Sequence, residues 1–182
     1  RLEMVGCGLG PKHAKDLATI FSSGCNINTL CLSKNGLTGA TFWSDTGTVR
    51  DGVDRNLDGI STLLTALKAS QVIHIDFSGC GLGPGSMGRL GEYLRDATRS
   101  IASLTLDSNG IFGVLPDRNG LGAKPDMFAA EAQPLLDALK TSSVASLSLK
   151  ATGMGVKGVA ALADAMHAMG SLTSCCLLHN PL

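Results

Sequence analysis

Residues 75–84 read Ile-Asp-Phe-Ser-Gly-Cys-Gly-Leu-Gly-Pro, and the last five of these residues also stand at 7–11. The wider pattern is apolar-x-apolar-x-x-[Asn/Cys/Thr]-x-apolar, which occurs six times in the chain. The six matches are Leu2-Met4-Cys7-Leu9, Leu30-Leu32-Asn35-Leu37, Ile75-Phe77-Cys80-Leu82, Leu104-Leu106-Asn109-Ile111, Leu147-Leu149-Thr152-Met154 and Cys175-Leu177-Asn180-Leu182. Agreement on this scale does not arise by chance, so the sequence predicts an array of six repeats.

The repeats alternate between two types. Their first positions are 28, 45, 29, 43 and 28 residues apart, so two successive repeats together span 73 and then 72 residues. Odd repeats have Cys-Gly-Leu-Gly-Pro or, at 152–156, Thr-Gly-Met-Gly-Val, whereas even repeats have Asn-Gly-Leu at 35–37 and Asn-Gly-Ile at 109–111. Each of these two even motifs is followed by an insertion, which we place at about 38–56 and 112–127.

These motifs resemble the leucine-rich repeat family, specifically its long, ribonuclease-inhibitor-like subclass. The resemblance covers nearly the whole chain apart from the two insertions. It implies a single α/β solenoid domain over residues 1–182, with about six repeats, a concave parallel sheet and convex helices. In this family the Asn or Cys side chain of the motif bonds to backbone groups of neighbouring coils, so Cys7 and Cys80 are expected to be buried.

The apolar spacing gives the same architecture on physical grounds. The first two apolar positions of each motif are two residues apart and therefore face one side of a short strand. Apolar residues at i, i+3, i+4 and i+7 predict helices, and the five sets are Ala14-Leu17-Ala18-Phe21, Ile60-Leu63-Leu64-Leu67, Met87-Leu90-Leu94-Ala97, Ala132-Leu135-Leu136-Leu139 and Val159-Leu162-Ala163-Met166. Pro134 is expected in the first turn of its helix, where its missing N–H costs little.

No repeat of this kind can bury its apolar face alone, so the repeats must stack on one another. The first and sixth motifs have no polar unit to cover them. We therefore expect the natural protein to be longer, or another chain to cover these ends.

Composition excludes several classes of function. Fifteen Lys and Arg balance fifteen Asp and Glu, which argues against a nucleic-acid or anionic-membrane surface. No run approaches the roughly 20 apolar residues of a membrane span, so no membrane insertion is expected. The six cysteines include no CxxC pair, and we expect reduced thiols in an intracellular, cytoplasmic setting, with no metal or other cofactor. A targeting signal upstream of Arg1 is compatible with this expectation.

One set of polar residues has the composition of a catalytic or metal site. His74 and Asp76 share one face of a strand, and Cys31 is expected beside Asp76 on the neighbouring strand, about 5 Å away. A thiol, an imidazole and a carboxylate can form a nucleophilic triad or begin a metal site. We expect ordinary surface polarity instead, because an open sheet has no pocket for an oxyanion.

Two further motifs suggest ligands only weakly. Residues 54–59 match the opening D-x-N-x-D-G of a calcium loop, but Thr65 stands where the bidentate Glu should be, and no helix precedes the loop. The second insertion repeats only Asp117-Arg118-Asn119-Gly120. Turn formation and helix capping by Asp58 explain the same residues. The Gly-rich stretch 79–85 lacks the Lys-Ser/Thr of a phosphate loop and indicates a tight turn.

The concave face and the insertions remain as candidate binding surfaces. The strand residues that face away from the core are small and polar, and the candidates among them are His74, Asp76, Thr105, Asp107 and Lys150. The insertions should project side by side about 10 Å apart, and they contain Phe42, Trp43 and Phe112, with Phe128 nearby. Loops on a rigid scaffold commonly carry recognition, and aromatic residues are favoured anchors. The alternative is that these rings fold back and seal the edge of the core.

The sequence therefore predicts a non-enzymatic protein-binding module, or scaffold, whose partner is a protein of unknown identity. Two alternatives remain open. One is a structural subunit of a large assembly. The other is a small-GTPase regulator of the Ran GTPase-activating type, which shares this subclass of repeat, although no residue here matches that activity.

Overall fold

The computed structural model describes residues 1–43, 49–98, 100–117 and 119–181. Leu182 of the sixth motif, Arg118 and residues 44–48 of the insertions lie outside this part. The elements in chain order are β1 Leu2–Glu3, α1 Pro11–Ser22, β2 Thr29–Cys31, β3 Thr41–Phe42, β4 Val49–Asp51, α2 Asp58–Leu67, β5 His74–Asp76, α3 Pro84–Asp96, β6 Ser103–Thr105, α4 Gln133–Lys140, β7 Ser146–Ser148, α5 Val156–Met166 and β8 Ser174–Cys176. This is an α/β fold, as predicted.

The six motif strands form one parallel sheet in the order β1-β2-β5-β6-β7-β8. Leu30 of β2 lies opposite Ile75 of β5, which lies opposite Leu104 of β6 and then Leu147 of β7. The predicted alignment of these four residues is confirmed. A slip of one residue in any pair would turn that strand's apolar residue out of the core, so the apolar pattern fixes the register.

The core lies between this sheet and the helices, which cover one face of it. The predicted apolar stripes of α1, α2 and α4 are buried, and so are Met87, Leu90 and Leu94 of α3. Pro134 occupies the first turn of α4, as expected.

The predicted stripe of α5 is partly wrong. Leu162 is buried, but Ala163 and Met166 are exposed, and Gly158 and Ala165 take their place in the core. Because Gly158 has no side chain, the helix backbone can approach closely: a Cβ there would lie 3.0 Å from the ring of Phe112 and 2.7 Å from Met154. This approach turns a different face of α5 inward.

Every strand of the parallel sheet is followed by a turn that has a left-handed residue at the same motif position. This residue directly precedes the Asn, Cys or Thr of the motif, and φ is 61° at Gly6, 58° at Lys34, 59° at Gly79, 55° at Ser108, 49° at Ala151 and 61° at His179. Four of the six carry side chains, although L residues rarely adopt this conformation. The shared backbone angle supports the equivalence of the six repeats independently of the apolar pattern.

Asparagine side chains join each even repeat to the odd repeat before it. The Asn109 Oδ1 accepts hydrogen bonds from the backbone N–H groups of Cys80 and Leu82, each at 3.0 Å, and the Nδ2 donates to the Phe77 carbonyl at 2.9 Å. The equivalent contacts are those of Asn35 with Leu9 and Met4, and of Asn180 with Thr152, Met154 and Leu149. These side chains replace backbone bonds that the turns have lost.

The helices of each of the first two odd–even pairs also pack closely. A Cβ at Gly59 of α2 would overlap the Pro11 carbonyl oxygen of α1, and a Cβ at Gly91 of α3 would lie 2.6 Å from that of Pro134 in α4. Glycine is therefore required at both positions for the helix backbones to approach. Two successive repeats thus form one packing unit, which agrees with the alternation in the sequence.

The two motif cysteines differ in burial. Cys80 is fully buried, as predicted; its Sγ donates to the Leu32 carbonyl at 3.1 Å, and burial raises the pKa of its thiol. The prediction that Cys7 is buried is wrong, because Cys7 is exposed. Cys7 follows β1, which pairs only with β2 among the described strands, so no neighbouring turn covers it from the other side.

We predict that Asn109→Ala lowers the free energy of unfolding by about 3 kcal/mol or more, because it leaves buried N–H and carbonyl groups without partners. Urea denaturation followed by circular dichroism would measure the loss. Asn119→Ala, at an exposed position, is the matched control and should change stability by less than about 0.5 kcal/mol. Equal stability of the two variants would contradict the role assigned to Asn109.

Tyr93 of α3 is fully buried, and its hydroxyl has no hydrogen-bond partner among the described residues. Burial raises the pKa of this phenol. Tyr93→Phe removes the unsatisfied group and should leave the free energy of unfolding unchanged or raise it by about 1 kcal/mol. Tyr93→Leu, which also removes ring volume, should be destabilising. A loss above about 1 kcal/mol for the Phe variant, measured by thermal denaturation, would contradict this prediction.

Candidate functional site

The two insertions flank a groove of about 1170 Å³. The first insertion contains the antiparallel pair β3–β4, and the second contains an antiparallel bridge between Val114 and Lys124. The groove is bounded by 49–55 on one side and by 113–117, Ala123, Pro125 and Phe128 on the other. We call this space the insertion groove.

The floor of the insertion groove is made by the turns that follow the strands. Five of the six left-handed residues line it, namely Lys34, Gly79, Ser108, Ala151 and His179. The strands that precede these turns are neighbours in the sheet, so the turns repeat at about 4.8 Å. Recognition at this floor would therefore involve a regular row of turn residues.

The walls of the groove are largely apolar. Val53 on the first insertion and Val114 on the second are 42% and 37% exposed, although both are large apolar side chains. Arg55 and Asp51, also on the first wall, form an ion pair at 2.6 Å. Because this pair is exposed, it contributes little to stability, and the exposed apolar surface is the distinctive feature of the groove.

Each insertion is attached to the next odd repeat by one aspartate that caps a helix. The Asp54 carboxylate accepts hydrogen bonds from the N–H groups of Gly83 and Ser86 at the start of α3, both at 3.1 Å, and from the Ser86 hydroxyl. At the start of α5, the Asp126 carboxylate accepts hydrogen bonds from the N–H groups of Gly155 and Gly158 at 2.8 Å and of Lys157 at 2.7 Å. Both aspartates have positive φ, 52° and 58°. A carboxylate at a helix N-terminus satisfies free N–H groups and interacts favourably with the helix dipole.

The environment of Asp126 changes its titration. Partial burial of the carboxyl opposes ionisation, but the N–H groups of Gly155, Gly158 and Lys157 outweigh it and hold the pKa below its usual range. The ionised Asp126 carboxylate is therefore the form that these N–H groups stabilise.

The calcium-loop residues serve the fold in other ways. Asp54 is the cap of α3, and the described residues contain no group of three or more His, Cys, Asp or Glu that could hold a metal. The prediction that Asp58 caps α2 is wrong: the N-cap is Leu57, and the Asn56 Oδ1 instead accepts the Asp58 N–H at 3.0 Å. Asp117 accepts the N–H groups of Asn119 and Leu121, which makes a turn.

The face of the sheet that the helices do not cover, which we call the open face, contains the predicted polar candidates. The Cys31 Sγ lies 3.3 Å from the Asp76 Oδ2, so their predicted proximity is confirmed. The Asp76 Oδ1 also accepts the Ser78 N–H at 2.9 Å and the Ser78 hydroxyl at 2.5 Å. The thiol therefore donates to the carboxylate, and His74 is exposed without a hydrogen bond to either of them among the described contacts. This arrangement lacks the thiol–imidazole pair of a nucleophilic triad.

Asp107 and Lys150 are also brought together on the open face. The Asp107 Oδ1 accepts the Ser148 hydroxyl at 2.6 Å and the Lys150 N–H at 2.9 Å, and the Lys150 Nζ lies 3.7 Å from the other carboxylate oxygen. Thr105 lies opposite Asp76 and Ser148 in the sheet and is half-buried. The carboxylates of Asp76 and Asp107 are thus occupied by groups of the chain itself, which leaves His74, Thr105 and the Lys150 ammonium as the accessible candidates.

The aromatic candidates do not form one exposed patch. Phe112 is fully buried and is therefore not a surface anchor. Its N–H donates to the Thr152 carbonyl and its carbonyl accepts the Phe128 N–H, so the second insertion begins inside the core. Phe42 and Trp43 are half-buried, and the Arg50 guanidinium lies 4.8 Å from the centroid of the Trp43 ring. The alternative that the rings seal the core edge is correct for Phe112.

Sequence reasoning proposed the two insertions as a binding surface, but it did not single out the apolar wall residues or the two capping aspartates. The two aspartates nevertheless have a sequence signal, because each has the same spacing to its partners. Asp54 lies 29 residues before Gly83 and 32 before Ser86, and Asp126 lies 29 residues before Gly155 and 32 before Gly158. Gly6 and Gly79, which stand at the same position of two motifs, also indicate the left-handed turn position. The wall residues Val53, Val114 and Leu115 have no such signal.

The sequence matches no protein-family model, and no curated protein is significantly similar to it. Over the described residues, no helix has both the length and the apolar character that crossing a bilayer requires.

We predict that Asp126→Asn lowers the free energy of unfolding by about 1 kcal/mol at pH 7, because the amide lacks the charge that the α5 N-terminus binds. The folded-state pKa is depressed, so the wild-type advantage exists above the unfolded pKa of about 4 and is lost as the pH falls through the folded value.

Urea denaturation between pH 7 and pH 2.5 tests this prediction. The difference between wild type and variant should narrow below about pH 4. The control is Asp164→Asn, at an exposed position of α5 that makes no ion pair or hydrogen bond in the described part. A pH-independent difference for Asp126→Asn would contradict the proposed cause.

Proposed function

We propose that the chain is a leucine-rich repeat solenoid of the ribonuclease-inhibitor-like subclass. Three observations support this assignment: six in-register parallel strands, the same left-handed turn after each of them, and asparagine side chains that bond to the preceding repeat. Stacked repeats of this kind commonly serve as rigid binding scaffolds.

On this scaffold, the function that the geometry supports best is non-enzymatic binding of a protein partner at the insertion groove. The observation that carries the proposal is the groove itself, with about 1170 Å³ of space between apolar walls. Small-molecule pockets usually occupy roughly 300–1,000 Å³ and enclose several convergent polar groups. The insertion groove exceeds that volume, and Val53, Val114, Leu115 and Pro116 give its walls apolar surface that suits a segment of a protein.

The attachment of the walls supports the same function. Asp54 fixes the first insertion to α3, and Asp126 fixes the second to α5. Walls held in this way lose little conformational entropy when a partner binds, which favours affinity. His74, Thr105 and Lys150 on the open face would then act as a secondary contact surface.

The binding test compares two substitutions in the second insertion. Val114→Asp places a charge on the groove wall and should reduce partner capture at least tenfold, because the charge must be desolvated on binding. Leu121→Asp is the matched control: Leu121 is 66% exposed, does not line the groove, and should leave capture unchanged. Immobilised chains and quantitative mass spectrometry of bound proteins provide the measurement. If both variants capture the same proteins as wild type, the groove is not the site.

A further inference from the structure

The second insertion presents to the groove a backbone edge that has no hydrogen bonds among the described residues. Val114 exchanges two hydrogen bonds with Lys124, its N–H and carbonyl each bonding at 3.0 Å. In an antiparallel pair, the next residue points its N–H and carbonyl to the opposite side. That residue is Leu115, which lines the groove and whose backbone groups form no hydrogen bond among the described residues. One donor and one acceptor are therefore available at this wall.

The first insertion presents a second strand edge. Among the described strands, β4 pairs only with β3, and its residues Val49, Arg50 and Asp51 line the groove. Edge strands with unpaired backbone groups readily accept another strand. Two strand edges thus border the same space from opposite sides.

The spacing of the insertions suits one additional strand. The insertions leave the sheet after β2 and β6, which are separated only by β5. The bases of the two walls are therefore about 10 Å apart, which is the distance between two strands with a third between them. An α-helix with its side chains is about 10–12 Å across, which is wider than the space that one strand occupies between these bases.

We propose that the insertion groove binds an extended segment of a partner protein by β-strand addition. One partner residue exchanges two backbone hydrogen bonds with Leu115, and the segment's other edge faces β4. Alternate side chains of the segment contact the apolar walls at Val53 and Val114, so apolar residues at every second position are favoured. Pro116 has no N–H and cannot continue the Val114–Lys124 ladder at its next bonded pair. This proposal rests on the proposed function, since it specifies what the groove binds.

The test uses linear peptides of about ten residues, selected from a random display library on the wild-type chain and counter-selected on Val114→Asp. Each selected peptide is then synthesised with a single backbone N-methyl group at each position in turn. Strand addition predicts a loss of about tenfold or more in affinity at the position whose N–H bonds to the Leu115 carbonyl, and further losses only at positions whose N–H faces β4. Isothermal titration calorimetry measures the affinities.

Variants of the chain provide the complementary measurement. Leu115→Pro removes the N–H and should weaken the selected peptides about tenfold, whereas Leu115→Ala keeps the backbone group and should weaken them less than threefold. The peptide scan does not depend on the folding of either variant. Affinity that is insensitive to N-methylation at every position would overturn strand addition.

The remaining outcomes distinguish β-strand addition from the broader proposal that the insertion groove binds a protein. Groove-dependent peptides with a flat N-methyl scan, or with a helical periodicity of sensitive positions, would refute strand addition but retain the groove as a protein site. No groove-dependent peptide at all would refute both proposals. Concentration-dependent dimerisation that Val114→Asp abolishes would assign the groove to a second copy of the chain and overturn the proposal.

Discussion

The buried asparagine amides are the contacts on which the arrangement of the repeats depends. A parallel strand that ends in a sharp turn leaves backbone groups without ladder partners, and burying such groups is costly. The Asn109 amide resolves this problem for two repeats at once, because it bonds to Phe77, Cys80 and Leu82 of the preceding repeat while its nitrogen also donates to the Leu106 carbonyl of its own repeat. Apolar burial drives the stacking, but these amides fix which turn lies against which.

The amides also explain why the structural unit is a pair of repeats. Within a pair, the asparagine bridges the turns and glycine brings the helices together. Between pairs, the sheet continues through β2–β5 and β6–β7, and the insertions add a further connection, because Asp54 and Asp126 cap the helices of the following odd repeats. The insertions are therefore structural clamps, and the groove between them is a consequence of that clamping. The same two insertions therefore stabilise the fold and form the walls of the candidate site.

Much of the fold could be predicted from the sequence because the apolar period is regular. The register of Leu30, Ile75 and Leu104 agrees with that period, since a slip of one residue would expose an apolar row. The face of α5 could not be predicted, because it depends on how closely Gly158 approaches Phe112, a residue far away in the chain. Val114 and Leu115 could not be singled out for a related reason: the backbone edge that they present depends on pairing with Lys124, and one-letter patterns carry no information on free edges.

Native-state hydrogen exchange of the unmodified chain tests the central claim most directly. The amides of Cys80, Leu82 and Met154 donate to asparagine side chains. If these side chains fix the stacking, the three amides should exchange as slowly as those of the sheet and helices, through global opening. Exchange at rates typical of exposed turns would contradict the account, because the asparagine contacts would then be too weak to hold neighbouring repeats together.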